Sequence, residues 1–311
     1  MNSLAAKKNL LRGDMVDTYS HPVEMNRPHL VPGEMSHKTF CRFRDYVTTH
    51  LGIKMPDVKQ TMLQSRLQRR LRALKISSFE EYYDYVFSIR GMEVELSHMI
   101  DAVTTNKTDF FREPKHFEYL EKSILPELMQ TAKTKRSKEI RFWSAGCSIG
   151  AEPYTLAMVL SEFASRRPEF RFSILATDIS KRVLNEAING IYTETMVAPI
   201  PSALRKKYLL KSKDPLGTTV RIIPELRTKV AFGRLNFMAD DFGLDNKMDI
   251  VFCRNVMIYF DRSTQEKVVN RFCRYLNSGG YLFVGHSETL NGLNVPLIQV
   301  SPTIYQKQAA S

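Results

Sequence analysis

Apolar residues recur at helical spacing between about residues 40 and 105, where they form two stripes. The stripes consist of Leu63, Leu67, Leu71 and Leu74, and of Phe79, Tyr82, Tyr83, Val86 and Phe87. Side chains three and four positions apart share one helix face, so this pattern predicts an all-α domain of about four helices over residues 36–105. Residues 1–35 lack such a period and concentrate proline and glycine, which predicts a flexible extension.

From residue 140 onward, short apolar runs alternate with amphipathic segments. Strands are predicted near 140–144, 172–177, 248–253 and 280–285, and helices over 152–165, 180–188 and 263–276. This alternation is typical of an α/β domain with a mostly parallel sheet and helices on both faces, here residues 140–311. Residues 106–139 are predicted to be a linker with a connecting helix from His116 to about Met129, followed by the charged segment 133–138.

About sixty residues separate the second predicted helix of this domain from its third strand, which is too many for a simple crossover. Two segments in that stretch, 218–223 and 229–232, have strand-like composition on either side of a Pro-Glu pair. We therefore predict an insertion over about 195–235 that forms a small antiparallel β-subdomain.

Composition narrows the class of protein. The 311 residues are 43% hydrophobic and carry a formal net charge of +12, so a large core and an acidic partner are expected: nucleic acid, an anionic membrane surface or an acidic protein face. Four widely spaced cysteines without a C-x-x-C pair are typical of a reducing cytoplasm. No apolar window approaches the roughly 20 residues of a membrane helix, so we expect a cytoplasmic protein without direct membrane insertion.

The most informative segment is 141–157, a predicted buried strand followed by a glycine turn and a helix start. Gly146 and Gly150 flank a tight loop where a side chain would hinder a ligand, and the helix starting near Glu152 points its free N–H groups at that loop. The incomplete G-x-G-x-x-G pattern disfavours a pyrophosphate site. Asp178 ends the next strand, where a carboxylate can accept both ribose hydroxyls of an adenosine-type cofactor. Together these signals favour a cofactor enzyme.

Further polar residues follow the strand predicted at 248–253. Asn255 and Tyr259 come directly after it, at the edge where open α/β sheets bind ligands. Asn236 and Phe237 end the strand-like segment from residue 229, near the same edge, and are expected to contact an adenine ring.

Five motifs occur in a characteristic order: TTNKTDFFR at 104–112, WSAGCSIGAEPY at 143–154, ATD at 176–178, CRNVMIYFD at 253–261 and GYLFVGHSE at 280–288. Over about residues 38–305 the chain resembles the CheR-type chemotaxis receptor glutamate methyltransferases. The resemblance implies a Rossmann-like methyltransferase sheet, S-adenosylmethionine as methyl donor, S-adenosylhomocysteine as product and no metal. It also implies that receptor glutamate carboxylates become methyl esters in chemotactic adaptation.

The resemblance implies roles for individual residues. Cofactor contacts are expected at Asn106, Thr108, Arg112, Glu152, Asp178, Asn236, Phe237, Arg254 and Asn255. Arg112 and Tyr259 are expected to orient the acceptor as catalytic residues. A glutamate carboxylate is ionised at neutral pH and needs no general base to attack a sulfonium methyl group, so such a site depends on alignment.

Residues 58–79 contain six basic residues and no acidic one. A helix with one sign of charge forgoes stabilising i,i+4 ion pairs, so an acidic partner is predicted. With the leucine stripe facing inward, all six charges are expected to face outward. In the resembled family this helix faces the methylation helices in the cytoplasmic domain of the receptor. Receptor contacts are therefore expected at Lys59, Arg66, Arg69, Arg70 and Arg72, while Lys75 is the sixth basic residue.

Some members of that family also dock a receptor C-terminal peptide on the β-subdomain, and they carry a glycine-rich loop near the region equivalent to 209–219. This chain retains only Gly217 there. The peptide contact is therefore left open.

Structural roles compete with these functional ones. The 146–150 loop could be an ordinary strand-to-helix turn, and Asp178 could cap the helix that starts near Ser180. Cys147 is predicted to be a small buried residue rather than a nucleophile. His286 is predicted to be a structural histidine in a turn after a strand.

Two other functions fit the sequence less well. A nucleic-acid methyltransferase is disfavoured because Arg254-Asn-Val-Met stands where an amino-group methylase carries an acidic or Asn-Pro-Pro-aromatic tetrapeptide. A non-catalytic adaptor is disfavoured by the presence of Asn106, Arg112, Asp178 and Tyr259. We expect a monomer that binds no nucleic acid.

Overall fold

A computed structural model describes residues 33–132, 139–213 and 217–308. The predicted extension up to residue 32, the charged segment 133–138 and residues 214–216 of the Gly217 loop lie outside the described residues. The helical domain consists of α1 (His37–Leu51), α2 (Gln60–Leu74), α3 (Phe79–Val86), α4 (Ile89–Val94) and α5 (Leu96–Val103). The prediction of about four helices was one too few, because Ser88 caps the short helix α4 just two residues after α3 ends.

The leucine stripe forms the core of this domain. Leu63, Leu67 and Leu71 on α2 are fully buried, and they belong to one apolar cluster with Phe40 and Phe43 of α1. The period-four spacing thus places α2 as predicted, with its leucines facing inward.

Arg70 on α2 pairs with a buried carboxylate instead of facing solvent. Its Nε and Nη2 donate to Glu95 Oε1 and Oε2 at 2.8 and 2.7 Å, and the Tyr82 hydroxyl donates to Oε1 at 2.9 Å. The Glu95 side chain is only 3% exposed. The prediction that all six basic residues of 58–79 face outward is wrong for Arg70, because a buried carboxylate requires a charged partner.

We expect Arg70→Ala to lower the free energy of unfolding by about 3–5 kcal/mol, because it leaves the Glu95 charge buried without its partner. The exposed neighbour Arg69 is the matched control, and Arg69→Ala should change stability by about 0.5 kcal/mol or less. Chemical denaturation of the two variants measures this difference. Equal midpoints would show that the ion pair does not stabilise the domain.

The connecting helix is longer than predicted and changes its winding. It comprises α6 (Pro114–Tyr119), a π-helical turn (Leu120–Ile124) and α7 (Leu125–Ala132). Pro114 occupies the first turn, where its missing N–H costs no hydrogen bond.

The α/β domain begins with β1 (Glu139–Ala145), α8 (Ala151–Ser165), β2 (Arg171–Asp178) and α9 (Lys181–Asn189). The insertion follows as β3 (Ile191–Thr193), α10 (Glu194–Val197), α11 (Ser202–Tyr208), β4 (Leu209–Lys211), β5 (Thr219–Ile222) and α12 (Pro224–Arg227). The domain then continues with β6 (Val230–Arg234), β7 (Met248–Phe252), α13 (Arg262–Tyr275), β8 (Leu276–Phe283), β9 (Leu297–Ser301) and β10 (Ile304–Lys307).

Seven strands of the described residues form the main sheet, in the order β6-β2-β1-β7-β8-β10-β9. The pairs from β6 to β8 are parallel, and β10 runs antiparallel to both β8 and β9. The strand order reverses between β1 and β7, and ligands of open α/β sheets bind outside the carboxyl ends of the strands at such a point. The mostly parallel α/β prediction is confirmed.

The predicted small antiparallel sheet is confirmed, but only one of the two segments expected in it belongs to it. Segment 219–222 lies in a small sheet with order β3-β5-β4, whereas 230–234 pairs parallel with β2 as an edge strand of the main sheet. The small sheet spans residues 191–222 rather than the expected 195–235. Strand-like composition marks a strand but does not specify its partner, which depends on contacts distant in sequence.

Within the three described ranges, no helix is long and apolar enough to cross a membrane.

Candidate functional site

A cleft lies between the helical domain and the carboxyl edge of the main sheet. Its lining includes every predicted cofactor and catalytic residue: Asn106, Thr108, Arg112, Glu152, Asp178, Asn236, Phe237, Arg254, Asn255 and Tyr259. The space within it, including the part open to solvent, is about 1250 Å³. Single-ligand pockets typically measure about 300–1000 Å³, so this cleft has room for a cofactor and part of an acceptor.

The glycine loop after β1 is shaped by protein neighbours as much as by a ligand. Gly146 has φ +81°, and a Cβ there would lie 2.6 Å from a methyl carbon of Val256. Gly150 has φ +91°, and its Cβ would lie 2.9 Å from the Cβ of Ala187. Both positions require glycine, but the clash that excludes larger residues is with the protein itself.

Asp178 holds this loop at the end of β2. Its Oδ2 accepts from the backbone N–H of Ser148 and its Oδ1 from that of Ser180, both at 2.9 Å. Ser180 rather than Asp178 caps α9, since its hydroxyl accepts from Val183 N–H. Burial raises the pKa of Asp178, and the two backbone N–H groups partly oppose that shift. Each carboxylate oxygen keeps a further lone pair, so Asp178 can still accept ribose hydroxyls.

A buried guanidinium lies between two carboxylates at the side of the cleft. Arg254 Nε is 3.5 Å from Glu113 Oε2 and 3.5 Å from Glu152 Oε2, and its Nη2 donates to the Arg112 carbonyl at 2.5 Å. Burial raises the pKa of Glu152, whereas for Glu113 burial is outweighed by Arg254 and by the His286 N–H, which lower its pKa. Arg254 therefore ties the 106–112 linker to α8.

Glu288 fixes the loop that carries Asn255 and Tyr259. Its Oε2 accepts from the N–H groups of Gly285 and Asn255 at 2.6 and 2.8 Å, and its Oε1 from Ile258 at 3.2 Å. Asn255 adopts a left-handed conformation with φ 59°. Sequence reasoning did not single out Glu288 or Glu113, although both lie in or next to the recognised motifs.

The two domains meet at the cleft through direct hydrogen bonds. The Lys54 N–H donates to the Tyr259 carbonyl at 2.8 Å, and Asn236 Nδ2 donates to the His50 carbonyl at 2.8 Å. Asn236 Oδ1 also accepts from Met238 N–H, so its amide is partly committed within the protein. The helical domain therefore forms one wall of the cleft.

Apart from Arg70, the basic residues in and next to α2 lie in two different environments. Lys59 and Arg66 line the cleft, and Arg66 donates to the Val103 carbonyl and, at 2.8 Å, to the Thr105 hydroxyl. Arg69 and Arg72 are exposed. The prediction that the basic side chains face outward is therefore also wrong for Lys59 and Arg66, because α2 packs along the junction between the two domains.

Cys147 and His286, the two other side chains considered for reactivity, lie in different environments. Cys147 is buried, and burial raises the pKa of its thiol well above its usual value, which does not favour a nucleophilic thiolate. His286 lies in the turn after β8 and contacts Glu113 and the buried His116 rather than the cleft.

Comparisons with known proteins agree with this architecture. The model of the CheR methyltransferase SAM-binding domain matches residues 106–305, and that of the CheR methyltransferase all-alpha domain matches 38–104. A chemotaxis protein methyltransferase of Borreliella burgdorferi is 42% identical over 262 residues, which cover 84% of this chain and 91% of that protein. The chemotaxis protein methyltransferase of Escherichia coli is 35% identical over 271 residues, covering 87% and 91%.

Proposed function

The chain belongs to the CheR family of S-adenosylmethionine-dependent methyltransferases, and we propose that it methylates glutamate side chains in the cytoplasmic domain of chemotaxis receptors. The products are glutamate methyl esters and S-adenosylhomocysteine. One observation carries the proposal: the cleft brings the cofactor motifs of the sheet edge together with Arg112 and with the basic helix α2.

The residues of the cleft fit the cofactor. Asp178 offers carboxylate oxygens for ribose hydroxyls, while Asn236 and Phe237, which follow the neighbouring strand β6, offer an amide and an aromatic ring for the adenine. Glu152 is a carboxylate near the glycine loop, suited to a charged amino group. Bound S-adenosylmethionine supplies a methyl group activated by a positively charged sulfur.

The protein's own task is to position the acceptor. A glutamate carboxylate is already ionised at neutral pH, so no side chain has to remove a proton. Arg112 is about one-third exposed in the cleft, and among the described residues its guanidinium has only long contacts, 3.5 Å to the Lys107 carbonyl and 4.0 Å to Glu113. Its fork can hold one acceptor oxygen while the other attacks. Tyr259, which also lines the cleft, can donate a hydrogen bond to the same group.

Incubation with methyl-labelled S-adenosylmethionine and receptor-containing membranes tests the proposal, with RNA and DNA as alternative acceptors. We expect label in protein, released as methanol by mild alkali, because esters are base-labile. Label in nucleic acid, or alkali-stable label in protein, would contradict the glutamate assignment.

The exposed part of α2 is proposed to bind the acidic receptor helices. We expect the double reversal Arg69→Glu, Arg72→Glu to lower kcat/KM for receptor methylation by roughly tenfold or more at low salt, through slower association. The affinity for S-adenosylhomocysteine should stay unchanged, because neither residue lines the cleft.

The matched control for this double variant is Arg167→Glu, Arg171→Glu, a pair of exposed arginines near the amino end of β2, away from the cleft. Measuring kcat/KM of both variants over a series of salt concentrations distinguishes an effect of surface charge from an effect of misfolding. Exposed charges are screened beyond about 8–10 Å near physiological ionic strength, so only the charge effect should depend on salt. Equal kcat/KM for the two variants at low salt would exclude receptor recognition by this face.

The β-subdomain is a second candidate receptor contact. Ile191, Arg221 and Leu210 stand in register across the exposed face of the three-stranded sheet. We propose that a receptor C-terminal peptide binds to this face of the small sheet. We also propose that the enzyme acts in the cytoplasm as a monomer.

A further inference from the structure

We propose that Glu113, His116 and His286 form a binding site for a borderline divalent cation of the Zn²⁺ class. None of the three residues lines the cofactor cleft. The proposal does not rest on the methyl transfer, although Glu113 also contacts Arg112 and Arg254, which line the cleft.

The three candidate ligand atoms converge at metal-site spacing. Glu113 Oε2 lies 3.5 Å from His116 Nδ1 and 3.9 Å from His286 Nε2, and all three atoms lie within 4.8 Å of one another. Zinc bonds of about 2.0–2.2 Å in a tetrahedron place neighbouring ligand atoms about 3.3–3.6 Å apart. Small side-chain movements bring this cluster to that geometry.

A hydrogen bond outside the cluster sets the tautomer of His116. The Thr303 hydroxyl donates its only proton to the Pro302 carbonyl at 2.7 Å, and the same oxygen lies 2.8 Å from His116 Nε2. Thr303 must therefore accept from Nε2–H, which leaves Nδ1 with a lone pair directed at the cluster. An imidazole whose other nitrogen donates to an outer partner is the usual arrangement of a metal ligand.

Neither lone pair accepts a hydrogen bond from the described residues, although Arg254 Nε lies 3.5 Å from Glu113 Oε2. His116 is 2% exposed and the Glu113 side chain 9%, yet neither His116 Nδ1 nor Glu113 Oε2 has a hydrogen-bond partner within the described residues. Two buried acceptor atoms 3.5 Å apart repel each other unless a proton or a metal cation lies between them. The other oxygen, Oε1, accepts from the His286 N–H at 3.2 Å and so fixes the carboxylate.

Nearby charge and the ligand types decide which cation fits. Arg254 Nε lies 3.5 Å from Glu113 Oε2, but Glu152 lies equally close to Arg254 and balances its charge. Two imidazole nitrogens and one carboxylate oxygen favour zinc-like ions over Mg²⁺ and Ca²⁺, which prefer oxygen ligands. His286 is 53% exposed, which gives the ion an entry path and a water ligand.

The experiment titrates metal-free full-length protein with Zn²⁺ against a chromogenic chelator, with Mg²⁺ as the ionic control. A Cys41→Ser background removes the competing pair of Cys41 Sγ and His37 Nε2, which lie 3.5 Å apart. We expect one tight zinc equivalent, and a tetrahedral absorption band when Co²⁺ replaces Zn²⁺. His286→Ala should weaken binding more than about 100-fold, because even the loss of an outer partner costs roughly 10–100-fold.

Two matched controls distinguish zinc binding by the cluster from zinc binding by other histidines. His98→Ala, which removes an exposed histidine elsewhere, should bind zinc like the parent. Thr303→Ala should weaken binding roughly 10–100-fold while Thr303→Ser retains it, because only the hydroxyl orients His116. The proposal is overturned if the parent binds no tight zinc, or if folded His286→Ala binds zinc as tightly as the parent.

Discussion

Arg112→Ala is expected to lower kcat/KM for receptor methylation by roughly 100-fold or more, because misalignment of the acceptor raises the barrier to methyl transfer. Arg112 faces the cleft, and in the described part of the chain its guanidinium has no short contact that a structural role would require. Arg112→Lys should recover only part of the rate, because an ammonium lacks the planar fork. Tyr259→Phe should have a milder effect than Arg112→Ala.

Lys115→Ala is the matched control, since Lys115 is an exposed cation three residues away that does not line the cleft. Initial rates over a range of receptor concentrations, together with S-adenosylhomocysteine affinities, assign the Arg112 effect to acceptor or cofactor. Near-normal rates in Arg112→Ala would remove this residue from the catalytic site.

Asp178→Ala is expected to abolish most of the rise in melting temperature that S-adenosylhomocysteine produces. A ligand that binds only the folded state, at a concentration of about 100 times its Kd, raises the free energy of unfolding by about 2.7 kcal/mol. This stabilisation is lost when the protein no longer binds the ligand. The carboxylate also holds the glycine loop through Ser148 N–H, so its loss affects both a direct contact and the loop.

Ser180→Ala separates these effects from simple destabilisation. It removes the cap of α9 and should lower stability by about 0.5–2 kcal/mol while the ligand-induced shift remains. Calorimetric titration gives the affinities directly, and undiminished binding by Asp178→Ala would exclude it from the ribose site.

The pH dependence of binding follows from the same carboxylate. Burial raises the pKa of Asp178, so its charged form is lost at a higher pH than in a free aspartate as the solution is acidified. We therefore expect the affinity for S-adenosylhomocysteine to fall as pH falls through that raised pKa.

The sequence alone determined the features that depend on neighbours close in the chain. The spacing of Leu63, Leu67 and Leu71 set the buried face of α2, and the alternation after residue 140 set the parallel sheet. The motifs placed the predicted cofactor residues in the 106–112 linker and beyond the carboxyl ends of strands, and in the folded chain they line one cleft. These patterns can be recognised because the period of a helix or strand constrains each residue through its neighbours.

Only the tertiary structure decided which partner each strand and charge acquired. The segment from Val230 joined the main sheet, and Arg70 paired with Glu95, 25 positions away. His116 and Thr303 are 187 positions apart, yet they share a hydrogen bond. No local period encodes such contacts, because they arise when separate elements pack and buried polar groups must find partners.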